Sequence, residues 1–314
     1  MTLPDSLMPN AGLALAGIVA LLTLATLAVR VLARLGPVAD HAELTLRVRS
    51  WWIMVATFGT ALVLGGNLSL AFMALISFLA LKEYLSLIPS RRADRTFLLW
   101  LYVAIPLQYY LIARGRYDLF VAFAALGMLL LLPIGMVMVG HTRNFLTAAA
   151  TLYWGYMLCV VAFAHLGWLV VLPATGNPAG GGSGLVLYLV FLTEINDVTQ
   201  YVFGRWLGRR KVTPRVSPGK TWEGLVGGLV TTAVLATVLA PWLTPLDRWQ
   251  GLLAGLLIGA AGFMGDVTVS AVKRDLRVKD TGQILPGHGG VLDRIDSLIF
   301  TAPLFFHFVR MLHY

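Results

Sequence analysis

The sequence predicts an all-α, polytopic integral membrane protein of about ten transmembrane helices. Hydrophobic residues fill 58% of its 314 positions and the mean hydropathy is +0.79, whereas Asp, Glu, Lys and Arg together reach only 12%. A soluble domain of this length is far less apolar. The apolar residues also fall into runs of roughly 16 to 25, the length that crosses ~30 Å of hydrocarbon. Lys and Arg collect in alternate connections between those runs, as the positive-inside rule requires of a multi-pass chain.

Residues 1–10 carry Asp5 but no Lys or Arg, so the basic leader of a cleavable signal peptide is missing and the first span, 11–35, reads as retained. Further spans follow at 52–66, 68–88, 97–113, 119–139, 146–171, 185–206, 224–245, 249–270 and 291–312. Gly65-Gly66-Asn67 is the least marked division, where two short spans and one broken or re-entrant element both fit the pattern. The uncharged, glycine-rich stretch 173–184 reads as a flexible external loop. There is no internal repeat, and one membrane domain is the simplest partition, with N-terminal spans over 1–184 and the polar motifs in 185–314. The single Cys159 lies in an apolar run, so an intrachain disulfide is impossible.

Twenty of the 24 Lys and Arg fall on one side of this pattern, and only Arg114, Arg116, Arg248 and Arg310 on the other. Both termini are therefore expected outside, with the polar motifs facing the cytoplasm from the inner membrane. The net charge of +9 is accounted for by orientation and by anionic headgroups, without nucleic acid.

Charge is concentrated between Asp266 and Asp296. Gly251, Gly255, Gly259, Gly262, Asp266, Ser270 and Lys273 recur every three or four residues, which puts them on one stripe of a helix. Small residues at that spacing admit a neighbouring helix, so Asp266 is expected to point into the bundle. Asp293 and Asp296 are three residues apart at the start of the last span and share a face. Between these elements, Pro286-Gly287-His288-Gly289-Gly290 has little side-chain bulk and can bring backbone N–H groups close to a phosphate. Three carboxylates beside five cationic side chains have the composition of a magnesium and polyphosphate site. A single loop charge is usually just solvated, but an acid one turn inside an apolar helix points to function.

Upstream, Ser217-Pro218-Gly219-Lys220-Thr221 reads as a helix start, with Ser217 as cap, Pro218 at the first helical position and Lys220 as a point charge for phosphate. Glu194 and Asp197 near the end of the 185–206 span need a polar partner, and Arg205 or Arg209 would serve. The remaining histidines show no zinc-ligand spacing.

Taken together, Ser270-Ala-Val-Lys273-Arg274, Lys279-Asp280-Thr-Gly282 and Leu285-Pro286-Gly-His288-Gly289-Gly290-Val-Leu-Asp293-Arg294-Ile-Asp296 resemble the signature of the phosphatidate cytidylyltransferases (CDP-diacylglycerol synthases). Ser217-Pro218-Gly219-Lys220-Thr221-Trp222-Glu223-Gly224 is similar to a second segment of that family, and the likeness covers about 194–312. The resemblance implies transfer of a cytidylyl group from CTP to a lipid phosphate, phosphatidate, with pyrophosphate as the other product. It also implies magnesium on Asp266, Asp293 and Asp296, a second cation such as potassium, and a bilayer-embedded lipid substrate; a homodimer is a further expectation. Asp266, Lys273, Asp293 and Asp296 are expected to carry the chemistry. Asp197, Ser217, Lys220, Ser270, Arg274, Lys279, His288, Gly289, Gly290 and Arg294 are expected to bind substrate, with His288 donating to phosphate. One segment departs from the family pattern: where an Asp is followed by Ser-Gly-Ala-Tyr, this chain has Asp197-Val198-Thr199-Gln200-Tyr201, so a paralogue acting on a different lipid phosphate is an open alternative. A cation-coupled transporter is the competing class, since intramembrane carboxylates and glycine-rich helices also build ion pathways. An inactive homologue is disfavoured by the intact acids.

Overall fold

In the computed structural model, residues 7–35, 39–88, 95–140, 144–282 and 289–314 are described. Asp5, Leu285, Pro286, Gly287 and His288, all used in the sequence reading, lie outside them. The described residues are helical apart from one small hairpin and the connecting turns. They form α1 (Pro9–Leu35), α2 (Ala39–Val63), α3 (Gly66–Leu87), α4 (Arg95–Ala113), α5 (Tyr117–Ala122), α6 (Met128–Met138), α7 (Phe145–Tyr156), α8 (Phe163–Val171) and α9 (Gly181–Trp206). Two antiparallel strands, β1 (Lys211–Thr213) and β2 (Ser217–Thr221), precede α10 (Trp222–Leu243), α11 (Arg248–Asp275), α12 (Leu292–Ile295) and α13 (Leu298–His313). Wider π turns at Phe123–Gly127 and Met157–Ala162 join α5 to α6 and α7 to α8 into continuous rods.

Each span predicted from the sequence falls on helical structure, the last one divided into α12 and α13 at Asp296–Ser297, and this is an all-α membrane protein. By length and composition, seven described stretches can cross a membrane: Pro9–Val31, Gly66–Leu87, Tyr117–Met138, Phe145–Val171, Trp222–Leu243, Arg248–Asp275 and Leu292–His313. Val48–Val63 and Phe97–Ala113 are shorter apolar helices. The remaining rod, α9, carries Glu194, Asn196, Asp197 and Gln200 in its second half.

The division at Gly65 resolves into two helices. Gly65 takes φ 104°, a conformation open to glycine, and the Ser69 hydroxyl donates to the Ala61 and Gly65 carbonyls at 2.8 and 3.0 Å. The stretch 173–184, expected as a flexible loop, is instead packed. Ala174–Gly176 forms a short 3-10 turn, Asn177 is buried and donates to the Gly181 and Leu243 carbonyls at 2.9 Å, and α9 starts at Gly181. Its glycines serve close approach: a Cβ on Gly182 would sit 2.3 Å from the Val170 carbonyl oxygen.

Packing follows the small residues. Helix α10 turns Gly224, Gly228, Thr232, Ala236 and Ala240 inward, while Val226, Val230, Val234 and Val238 on the opposite face are 54–68% exposed, as a lipid-facing stripe should be. Against that inner face lies the predicted stripe of α11, where a Cβ on Gly255 would come within 2.6 Å of the Ala236 Cβ and 2.7 Å of the Ala233 Cα. Helix α9 packs on α10 and α11 packs on α13. Helix α3 is wedged deeply: Tyr84 lies over Gly155 and donates to the Thr151 carbonyl at 3.1 Å, and the Ser77 hydroxyl meets the Tyr109 hydroxyl at 2.9 Å.

These contacts predict that Gly255→Ala destabilises the fold by about 1 to 3 kcal/mol through overpacking. Gly17→Ala, whose Cβ meets nothing within 4 Å, should be neutral or slightly stabilising. Apparent Tm of the two purified variants in detergent checks the pair, and equal Tm values would refute the close packing of α10 on α11.

Candidate active site

The polar residues gather at one end of the bundle, where α3, α9, the hairpin, α11 and α12 meet. Helix α11 ends just beyond Lys273. Arg277 adopts φ 57°, the Val278 amide donates back to the Lys273 carbonyl at 2.9 Å, and the chain reverses, bringing Thr281 over the start of α12. There Asp293 is saturated. Its Oδ1 receives the Lys273 ammonium at 2.8 Å, and its Oδ2 accepts from the Thr281 amide at 2.8 Å, the Thr281 hydroxyl at 2.9 Å and the Gly290 amide at 3.0 Å. Asp293 is 7% exposed, so each of these bonds replaces water that burial removed.

A second acid reaches this segment from the N-terminal half. Glu83 of α3, 6% exposed, accepts from the Val291 amide at 2.9 Å through Oε1, and from the Leu292 amide at 2.8 Å and the Thr281 hydroxyl at 3.3 Å through Oε2. The amides of residues 290–292 thus face carboxylates. This corrects the expectation that Gly290 offers its N–H to phosphate. The glycines make room for the acids: a Cβ on Gly290 would fall 2.4 Å from Glu83 Oε2, and Gly289, at φ 78°, would place one 2.8 Å from Asp293 Oδ2.

The other carboxylates form a less satisfied group. Asp266 Oδ2 pairs with the Lys220 ammonium at 2.7 Å, and its Oδ1 accepts from the Ser270 hydroxyl at 3.2 Å. Asp197 Oδ2 accepts from the Ser297 hydroxyl at 2.8 Å, while its Oδ1 is buried without a partner. Asp296 Oδ1 accepts from the Ser297 amide at 2.7 Å. The three acids lie within electrostatic range of one another, and Lys220 is attracted to all of them. Burial works to lower the Lys220 pKa, but Asp266 and Asp197 outweigh it and hold the ammonium above the ordinary lysine range. Arg294 sits in the field of Glu194 and Asp197, with its Nε buried and unpartnered.

Asp293 and Asp296, three residues apart in helical backbone, are thus held by different partners. Asp293 is taken up by Lys273, Thr281 and Gly290, and among the described residues no three His, Cys, Asp or Glu stand as a preformed metal cluster. An orphaned buried oxygen on Asp197, with Asp266 and Asp296 beside it, is nevertheless a hard, anionic oxygen set of the kind magnesium takes.

The hairpin brings a second correction. Ser217 does not cap a helix, because Ser217–Thr221 is strand β2, paired with β1 through Thr213–Ser217 and Lys211–Thr221. Helix α10 is capped by Thr221, whose Oγ1 accepts from the Gly224 amide at 3.1 Å, and the strand projects Lys220 inward. Glu223 accepts from the Arg209 amide at 3.0 Å, so it secures the hairpin approach. Arg274 is exposed and donates to the Val216 carbonyl at 3.2 Å, tying α11 to the same hairpin, and Lys279 is exposed.

Glu83 and Thr281 were not singled out from the sequence, and Gln200 entered only as part of the departing segment after Asp197. Glu83 carried the same signal as Asp266, an acid just inside the end of an apolar run. Gln200, 4% exposed, accepts from the Lys220 ammonium at 3.1 Å, and its Nε2 is buried without a partner. Val198 points outward at 46% exposure, and Thr199 bonds within its own helix. Only Gln200 of the three departing residues therefore touches the site.

A family model described as the cytidylyltransferase family matches residues 45–312. The chain belongs to that family. Its relatives include YnbB of Escherichia coli (strain K12), an uncharacterized protein, which is 50% identical over 298 residues, covering 94% of this chain and 97% of that one. A phosphatidate cytidylyltransferase of Synechocystis is 33% identical over 292 residues, 85% of this chain and 97% of that one. One of Staphylococcus haemolyticus is 28% identical over 262 residues, with coverage of 82% and 97%. As a cytidylyltransferase-family protein, the chain is a nucleotidyltransferase built into a membrane bundle.

Within this cytidylyltransferase fold the two acid groups predict opposite effects on stability. Asp293→Asn strips Lys273 of its buried partner and should cost about 3 kcal/mol, a drop of roughly 5 to 10 °C in Tm. Asp296→Asn relieves a crowded group of three acids, in which Asp296 accepts only the Ser297 amide among the described residues, and should leave Tm unchanged or raise it. Thermal unfolding of both variants checks this, and the reverse ranking would refute the division.

Proposed function

We propose that this protein transfers the cytidylyl group of CTP to a membrane lipid phosphate, with phosphatidate as the first candidate acceptor. A phosphate oxygen of the lipid attacks the α-phosphorus of CTP, the bond from that phosphorus to the β-phosphate bridge breaks, and pyrophosphate leaves with the electron pair. The observation that carries the proposal is the grouping of Asp197, Asp266 and Asp296 around Lys220, beside the Lys273–Asp293 pair, in a chain of this family. Transfer of this kind needs positioned charge more than covalent help from the protein.

Asp266 and Asp296, with Asp197, would hold magnesium and a second cation. When bound, the metal offsets charge on the triphosphate. Lys220 and Arg294 are placed to share the negative charge of substrate phosphates with these acids, and Lys273, anchored by Asp293, fixes one cation at the end of α11. Exposed Arg274 and Lys279 add positive field at the entrance. The site is proposed to open to the cytoplasm, where CTP is available, in keeping with the concentration of Lys and Arg in its loops.

A different lipid phosphate as acceptor is favoured by one observation, Gln200. It meets Lys220 where the family pattern carries a small residue, and so narrows the space beside that ammonium.

Incubating purified protein with CTP, magnesium and a panel of lipid phosphates should yield pyrophosphate and the CDP-lipid. Asp266→Asn should lower kcat by about 100-fold or more. Wild-type turnover in Asp266→Asn, or no product with any lipid phosphate, would overturn the proposal.

Gln200→Ala should shift relative kcat/KM among the lipid acceptors by about 10-fold or more, with little change in KM for CTP. An unchanged acceptor profile would reduce Gln200 to a packing residue.

A further inference from the structure

Glu83 stands 198 residues before Thr281 in the chain, yet its described carboxylate bonds all go to the segment that carries Asp293. Two consecutive backbone amides, Val291 and Leu292, point at its two oxygens, and the Thr281 hydroxyl is shared between Glu83 Oε2 at 3.3 Å and Asp293 Oδ2 at 2.9 Å. One hydroxyl proton serves one acceptor at a time, so the positions of the two acids are coupled through Thr281. Small residues of the segment answer to the same carboxylate. A Cβ on Gly282 would fall 2.7 Å from Glu83 Oε1, and one on Gly290 2.4 Å from Oε2.

We infer that Glu83 is a positioning residue for the transfer reaction: it fixes the start of α12 from the third helix and so holds Asp293 against Lys273. The role rests on the proposed cytidylyl transfer, but the geometry does not. Burying a carboxylate has an energetic cost that an apolar side chain at position 83 would avoid. Here that cost is offset by donors from a single segment, the one that ends on Asp293 and Asp296. Helix α3 supplies the rigidity, because Tyr84, the next residue, is locked over Gly155 and bonded to the Thr151 carbonyl. Helix α3, braced on α7, therefore acts as a rigid base of the site.

Glu83→Gln keeps the size of the side chain but turns one oxygen into a donor, which then confronts an amide N–H. Glu83→Asp keeps the charge but is one methylene too short to reach both amides. Each variant is compared with wild type by Tm, by hydrogen exchange of peptides across 278–295 and across α9 to α11, and by kcat and KM for CTP. The expected result for Glu83→Gln is faster exchange confined to 278–295, a kcat lower by about 10- to 100-fold, and little change in KM for CTP. Glu83→Asp should recover part of the kcat, and it carries the same comparison if Glu83→Gln does not fold. Wild-type kcat with unchanged exchange would overturn the inference, and so would faster exchange spread evenly through α9 to α11. If the wild type itself transfers nothing from CTP, the functional reading fails, and confined exchange at 278–295 still decides whether Glu83 holds the segment.

Discussion

A carboxylate buried at the end of an apolar bundle persists only where a cation or several donors reach it, and this requirement shapes the polar end of the molecule. Asp293 meets it in full, with one ammonium, two amides and a hydroxyl. Glu83 meets it with two amides and a hydroxyl. To deliver those donors the chain must reverse after α11, place glycines at 282, 289 and 290, and start a short helix at Leu292. The local sequence of the motif is thus largely a description of what surrounds two acids.

The remaining acids obey the same rule incompletely. Asp197, Asp266 and Asp296 repel one another and share Lys220, while an oxygen of Asp197 and a nitrogen of Arg294 stay buried without partners. Unsatisfied buried groups lower the stability of the free protein, and in the proposed function a cation and a phosphate would supply the missing partners. One group of acids is therefore complete and acts as scaffold, whereas the other is incomplete and suited to a ligand. Stability and binding are divided between residues only a few positions apart.

Close helix packing makes the arrangement possible. Glycines 251, 255 and 259 bring α11 against α10, and this carries Asp266 to Lys220 on the strand that precedes α10. On the far side of α10, valines at every fourth position face outward, so a single helix serves lipid with one face and the site with the other.

Much of the fold was legible because membrane burial writes directly into sequence. Long apolar runs separated by short charged segments have few solutions other than helices, and the glycine spacing of α11 identified its packed face. The family was also legible, since the motif from Ser270 to Asp296 is long and nearly continuous. Only the tertiary structure decided how the acids pair. Asp293 and Asp296 look equivalent at a spacing of three, yet Lys273 and Thr281 claim one while Asp266 and Asp197 face the other. Ser217 and Pro218 have the residue types of a helix cap, but hairpin pairing with β1 moved the cap to Thr221. Glu83 was legible only as an isolated acid, because its partners lie about two hundred residues away and the contact depends on how α3 is wedged between its neighbours. Periodicity reports which face of a helix is buried; which buried groups meet is settled by packing between elements distant in the chain.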